Sequence, residues 1–138
     1  MKVIGIQLKT TEVILAVLEK DTQGNITQSR ESIKFNIEDP TDISQVRQFR
    51  DQINMAFDSI SPNQIGILAR NYKAKGARVP SIISFKWEGI IQLNDKYPIE
   101  MVWPQTTSAF FKKKTKTLIA SKKYEEDAFD VAYYLLEK

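Results

Sequence analysis

The sequence predicts an α/β fold: a mixed five-stranded sheet in the order β-β-β-α-β-α-β-α, with helices on both faces. Three observations carry that expectation. Two long apolar runs, VIGIQL at 3–8 and EVILAVLE at 12–19, open the chain with only a Lys9-Thr10-Thr11 turn between them. Between 43 and 60, apolar residues recur every three or four positions, the period of a helix lying on a core. Beyond residue 61, short apolar runs alternate with helical patterns, as crossover connections between parallel strands require.

Taken in order, residues 2–9 read as a first strand. Its near-continuous apolar run is that of a strand covered on both faces, so it is expected in the middle of the sheet, between the second and fourth strands. Residues 12–19 form the second strand. DTQGN at 21–25 is turn chemistry, since Gly24 and Asn25 tolerate positive φ. A third strand is expected near 28–37, where Ser32, Lys34 and Asn36 alternate with Ile33, Phe35 and Ile37. Asp39, Pro40, Thr41 and Asp42 then supply helix-start residues. Ile43, Val46, Phe49, Ile53, Phe57 and Ile60 line one face of the helix, and Ser61-Pro62-Asn63 ends it.

QIGILA at 64–69 is the fourth strand, followed by a basic loop, RNYKAKGARVP. Pro80 and Ser81 open a helix with Ile83, Trp87, Ile90 and Ile91 on one face. IEMVW at 99–103 is the fifth strand, apolar enough to be covered on both faces, and Trp87 and Trp103 read as core residues in preference to base-stacking ones. Pro104 starts a short helix, and a last helix runs from about Tyr124 to the end. No repeat and no linker interrupts this order, so residues 1–138 are read as a single domain.

Composition narrows the chemistry. The chain has no cysteine and no histidine, which excludes disulfides, thiolate or imidazole metal sites and histidine-based catalysis among these residues. Any metal chemistry must use oxygen ligands, which suit magnesium, manganese or calcium. No apolar run approaches the roughly 20 residues of a membrane helix, and polar residues from Gln7 to Glu12 interrupt any secretory h-region. The expected location is cytoplasmic, with no membrane partner.

The net charge of +3 is unevenly spread: residues 1–69 net −2, whereas residues 70–123 net +9. Such asymmetry points to a polyanionic partner, either nucleic acid or an acidic protein. A solubilising lysine surface accounts for the same charges.

Several stretches resemble the ribonuclease H-like superfamily, in its branch of RuvC-like Holliday-junction resolvases. VIGIQLKTTEVILAVLE looks like that branch's opening Gly-Ile-Asp strand and hairpin. QIGILARNY matches its fourth strand, and EEDAFDVAYYLL its C-terminal helix with an Asp-x-x-Asp pair. More narrowly, SFKWEGIIQL and the basic loop before it resemble the domain of unknown function family 3010.

The resemblance implies a two-metal nuclease site held by carboxylates from the first strand, the end of the fourth strand and the last helix. Carried onto this chain, the first-strand acid falls on Gln7 and the fourth-strand acid on Ala69. Only Asp127 and Asp130 survive as candidate metal ligands, at i,i+3 on one helix face, with Glu126 a turn before Asp130; Glu88 reads either as a leftover polar residue near the pocket or as part of a solvated helix face. Acids in a first helical turn also have a plain structural reason, the helix macrodipole. Two carboxylates are too few for two hard dications, so the site is expected to have decayed and no cofactor is expected.

The basic residues Arg70, Lys73, Lys75 and Arg78, with Lys112, Lys113, Lys114 and Lys116, would flank that remnant site and meet a phosphate backbone. The expectation is a catalytically inactive RuvC-like domain acting as a binding or regulatory module for nucleic acid. Two alternatives stay open. One is a magnesium- or manganese-dependent nuclease with a rebuilt carboxylate site; the other is a protein-interaction module whose basic face meets an acidic partner.

Overall fold

The structure, a computed structural model, describes residues 1–138 apart from the side chain of Arg78. Strands β1 (Lys2–Leu8) and β2 (Glu12–Lys20) form an antiparallel hairpin in which Gly5 faces Ala16 and Gln7 faces Ile14. The turn after β2 uses Gly24 at φ 86°, and the Asp21 carboxylate accepts from the Gln23 and Asn25 amides.

Two short strands follow, β3 (Ile26–Thr27) and β4 (Ile33–Asn36), and both pair antiparallel with β2. The single third strand expected at 28–37 is therefore two pieces, with residues 28–32 outside the ladder. Helix α1 (Ile43–Ile60) starts at Asp42, whose carboxylate caps the Ser44 amide at 2.9 Å, and ends at Ser61 in the left-handed region. Strand β5 (Gln64–Leu68), helix α2 (Ile82–Gln92), strand β6 (Ile99–Val102) and helices α3 (Pro104–Lys113) and α4 (Glu126–Glu137) complete the chain.

The sheet order is β3-β2-β1-β5-β6, with β4 also on β2. β1 is central, as its apolar run requires. It pairs antiparallel with β2 and parallel with β5, and β5 pairs parallel with β6. The expectation that 99–103 is covered on both faces is corrected. β6 lies at the edge, only its Val102 is buried, and Trp103 falls outside the strand and is 44% exposed as the residue before α3. An apolar composition cannot distinguish an edge strand from a central one.

Side chains alternate across the sheet. One face carries Ile4, Ile6, Leu8, Val13, Leu15, Val17, Ile65 and Ile67, which pack with Phe49, Ile53, Phe57 and Ile60 of α1 and with Trp87 and Ile91 of α2. Ile43, counted in the apolar stripe of α1, is instead exposed at its first turn. The other face carries Val3, Ile14, Ala16 and Leu18 beneath Ala128, Phe129, Val131, Ala132 and Leu135 of α4. Trp87 is fully buried, and its indole N–H donates to the Thr10 carbonyl at 3.0 Å. No helix is long and apolar enough to cross a membrane, among the described residues.

Candidate functional site

The parallel strands β1, β5 and β6 end on the same side of the sheet, and α4 begins there. Alternation puts Gln7 on the face of Val3 and Gly5, which α4 covers. The result is direct: Gln7 Nε2 donates to Asp127 Oδ2 at 2.8 Å. One turn on, Asp130 Oδ1 accepts from Lys116 Nζ at 2.6 Å, with both side chains about three-quarters buried. Asp127 and Asp130 share a cavity of about 400 Å3 with Leu68, Pro104, Thr107, Ser108 and Phe111.

Lys116 reaches this cleft from the segment joining α3 to α4. The next residue is anchored: the Thr117 amide donates to the hydroxyl of fully buried Tyr133 at 2.9 Å. The Lys116 ammonium also stands 4.6 Å from the centre of the Phe111 ring. Two side-chain contacts and the anchored backbone next to it thus hold one lysine against Asp130 and Phe111, which line the cleft.

The remaining expected residues separate into two groups. Ala69 follows the last residue of β5, is buried, and donates its amide to the Val102 carbonyl at 2.8 Å. By alternation it belongs with Ile65 and Ile67, so it is Leu68 that lines the cleft. Counting in twos from Ile65 finds this from sequence; matching the strand's end does not. Neither residue offers an oxygen ligand.

Arg70 turns to the α2 side of the sheet, where its Nη2 donates to Glu88 Oε1 at 2.6 Å and its guanidinium lies 4.4 Å from the Phe85 ring centre. Its Nε and Nη1 are buried without a partner, so Arg70 is a packed ion-pair residue. Glu88 is its counter-ion and is not brought to Asp127 and Asp130. Glu126, in the first turn of α4, is exposed.

Lys112, Lys113 and Lys114 are exposed at the end of α3, and Lys73 and Lys75 in the loop after β5, where Tyr72 is 70% exposed. Lys114 also reaches Glu137 Oε1 at 3.4 Å. The expectation for Arg78 lies outside the described side chains. Phe110 and Phe111 pack edge to face on each other, and Phe110 also packs edge to face on Tyr134, so this pair covers α4.

A pair of divalent cations does not fit this donor set. Hard dications need several oxygen ligands and compensating negative charge. Here the strand positions supply an amide and an alkyl group, and an ammonium already compensates one of the two carboxylates. Among the described residues no group of three or more carboxylates converges to hold a metal.

The model of a protein family described as a protein of unknown function, DUF3010, matches residues 1–135. A search among curated proteins finds no match. Among solved structures, Thermus thermophilus RuvC superposes with a TM-score of 0.73 at 12% identity, over 96% of this chain and 91% of that one. The same protein in complex with a Holliday junction substrate gives 0.68 at 12% identity, over 96% and 90% of the two chains. The Fowlpox virus resolvase, in complex with Holliday junction DNA, gives 0.56 at 11% identity, over 99% and 97%. At such identities the likeness is one of fold, and the fold is the ribonuclease H-like one that the sequence resembles.

Proposed function

This chain belongs to the protein family of unknown function DUF3010, and from that premise we propose that it is a catalytically inactive ribonuclease H-like domain that binds nucleic acid without cutting it. One observation carries the reading. At the position facing Asp127 in the first turn of α4, the central strand presents the amide of Gln7, a donor to that carboxylate, where metal chemistry needs an anionic oxygen. Without that charge, neither water activation nor stabilisation of a leaving oxygen has a metal to perform it.

Binding survives such a loss because it draws on different groups. Lys112 and Lys113 on α3, with Lys73 and Lys75 after β5, are exposed on segments that leave the carboxyl ends of β6 and β5. Ligands of open α/β sheets sit outside those ends, and two fold neighbours are described with Holliday junction DNA. Phosphate neutralisation by such lysines is independent of base sequence and steeply dependent on salt.

The test pairs cleavage with binding on junction, duplex and single-stranded DNA, with magnesium or manganese. The expected result is no cleavage above background, together with binding that needs no metal. Its affinity should be micromolar or weaker at physiological salt, with log K falling against log salt at a slope of about −3 to −4. Metal-dependent cleavage that disappears in Asp130→Asn would overturn the reading in favour of a rebuilt nuclease. Absence of binding at low salt would leave the basic face to an acidic protein partner.

A further inference from the structure

We propose that Lys116 is a tethered cation standing in for the metal of the cleft, so that the protein carries its own counter-charge and its cleft is independent of divalent ions. The inference rests on the reading of the cleft as metal-free, and it does not require nucleic-acid binding.

The geometry argues for a built position rather than a wandering lysine. A surface lysine pairs transiently and loses side-chain entropy in any single pose. Lys116 is held three times over: Nζ on Asp130 Oδ1 at 2.6 Å, the ammonium against the Phe111 ring, and the backbone fixed at Thr117 by the buried Tyr133 hydroxyl. The side chains of Lys116 and Asp130 are 26% and 29% exposed, so the pair is largely withdrawn from screening water.

Charge accounting explains why a cation belongs there. Asp127 and Asp130 project from one turn of α4 into one cavity, and their repulsion needs an opposing charge. In a site with more carboxylates a dication supplies it. With Gln7 neutral and Leu68 apolar, a monovalent ammonium matches the charge left on Asp130, while the Gln7 amide satisfies Asp127. A tethered ammonium meets Asp130 within the chain, at an effective concentration set by its tether, so it loses less entropy on pairing than a free cation does.

The decisive experiment is thermal unfolding of the full chain in EDTA and in 10 mM Mn2+, for the wild type, Lys116→Met and Lys116→Arg, with Mn2+ binding followed in parallel by the electron paramagnetic resonance of the free ion. The wild type and Lys116→Arg are expected to show the same midpoint in both conditions and no bound Mn2+. Lys116→Met is expected to melt lower in EDTA and to regain about 3–6 °C once Mn2+ reaches roughly ten times its Kd. Lys116→Gln replaces it if the Met variant does not fold. A wild type that binds Mn2+ and rises as the variant does would overturn the proposal, and so would a neutral variant that ignores Mn2+. Cleavage and DNA binding are separate readouts, so failure here is distinguishable from failure of the proposed function.

Discussion

Gly5 and Gly66 face each other across the parallel β1–β5 ladder, and together they form the notch into which α4 sinks. A Cβ on Gly5 would lie 1.9 Å from the Ala128 carbonyl oxygen and 2.6 Å from the Ala132 nitrogen. On Gly66 it would meet the tips of Val131 and Leu135 at 2.8 and 2.9 Å. The depth of this notch sets how close the first turn of α4 comes to the strand ends. It therefore sets whether Gln7 reaches Asp127 at all.

The two glycines should respond differently to a methyl group. Gly5→Ala sets a methyl group against the α4 backbone, which yields little, and it should lower stability by about 3 kcal/mol or more. Gly66→Ala meets side-chain ends that can shift, and about 1–3 kcal/mol is expected. Urea denaturation followed by circular dichroism ranks them. Equal effects would mean that α4 does not sit as closely as described.

Replacing Trp87 with Phe should lower stability by about 1–3 kcal/mol. The ring packing against Phe49, at 5.2 Å between centroids, largely survives, but the smaller ring leaves a void in the core and the Thr10 carbonyl loses its indole donor. The loss should appear in the denaturation midpoint with the slope unchanged.

The two tryptophans should separate optically. Trp103 is 44% exposed and Trp87 is fully buried, so iodide should quench the wild type only in part. Trp103→Phe should remove nearly all of the quenchable emission and leave a blue-shifted band. Full quenching of that variant would contradict the burial of Trp87.

Acid stability should have an identifiable contributor in Glu137. The hydrogen bond from Lys20, reinforced by the charges of Lys20 and Lys114, holds its carboxyl below the ordinary value of 4.5. A lowered pKa stabilises the fold fully above about 4.5, and that contribution is lost as pH falls through the folded value. Glu137→Gln should therefore be less stable than the wild type at neutral pH, and the gap should close below pH 4.5. A gap that stays constant to pH 2 would remove Glu137 from the acid transition.

Lys112→Ala with Lys113→Ala should flatten the salt dependence of DNA binding by about two units of slope, with no change in folding, since both side chains are solvent-exposed. An unchanged slope in the double variant would place the phosphate contacts elsewhere.

Much of the fold was legible because its signals are local. Apolar runs placed β1, β2 and β5, the helical period placed α1 and α2, Pro104 marked the start of α3, and the near-continuous apolar run of β1 predicted its central position. The third strand reads as continuous in sequence because the alternation at 33–37 is preceded by polar residues 28–32, which join no strand. β6 and Trp103 were placed too deep because apolarity measures a tendency to bury, while the edge of a sheet is decided by which strand comes last in the order.

The absence of cysteine and histidine, the neutral residue at position 7 and the surplus of lysine over 70–123 are properties of the sequence alone, and they bounded the chemistry before any fold was known. Which lysines stay free was not among them. Arg70 is taken by Glu88 and Lys116 by Asp130, pairings that span 18 and 14 residues of chain. Partners so far apart in sequence meet only when α2 and α4 have packed on opposite faces of the sheet. Side-chain pairing depends on distances of a few ångströms, and those follow from the burial of the whole core, including a notch made by two glycines 61 residues apart.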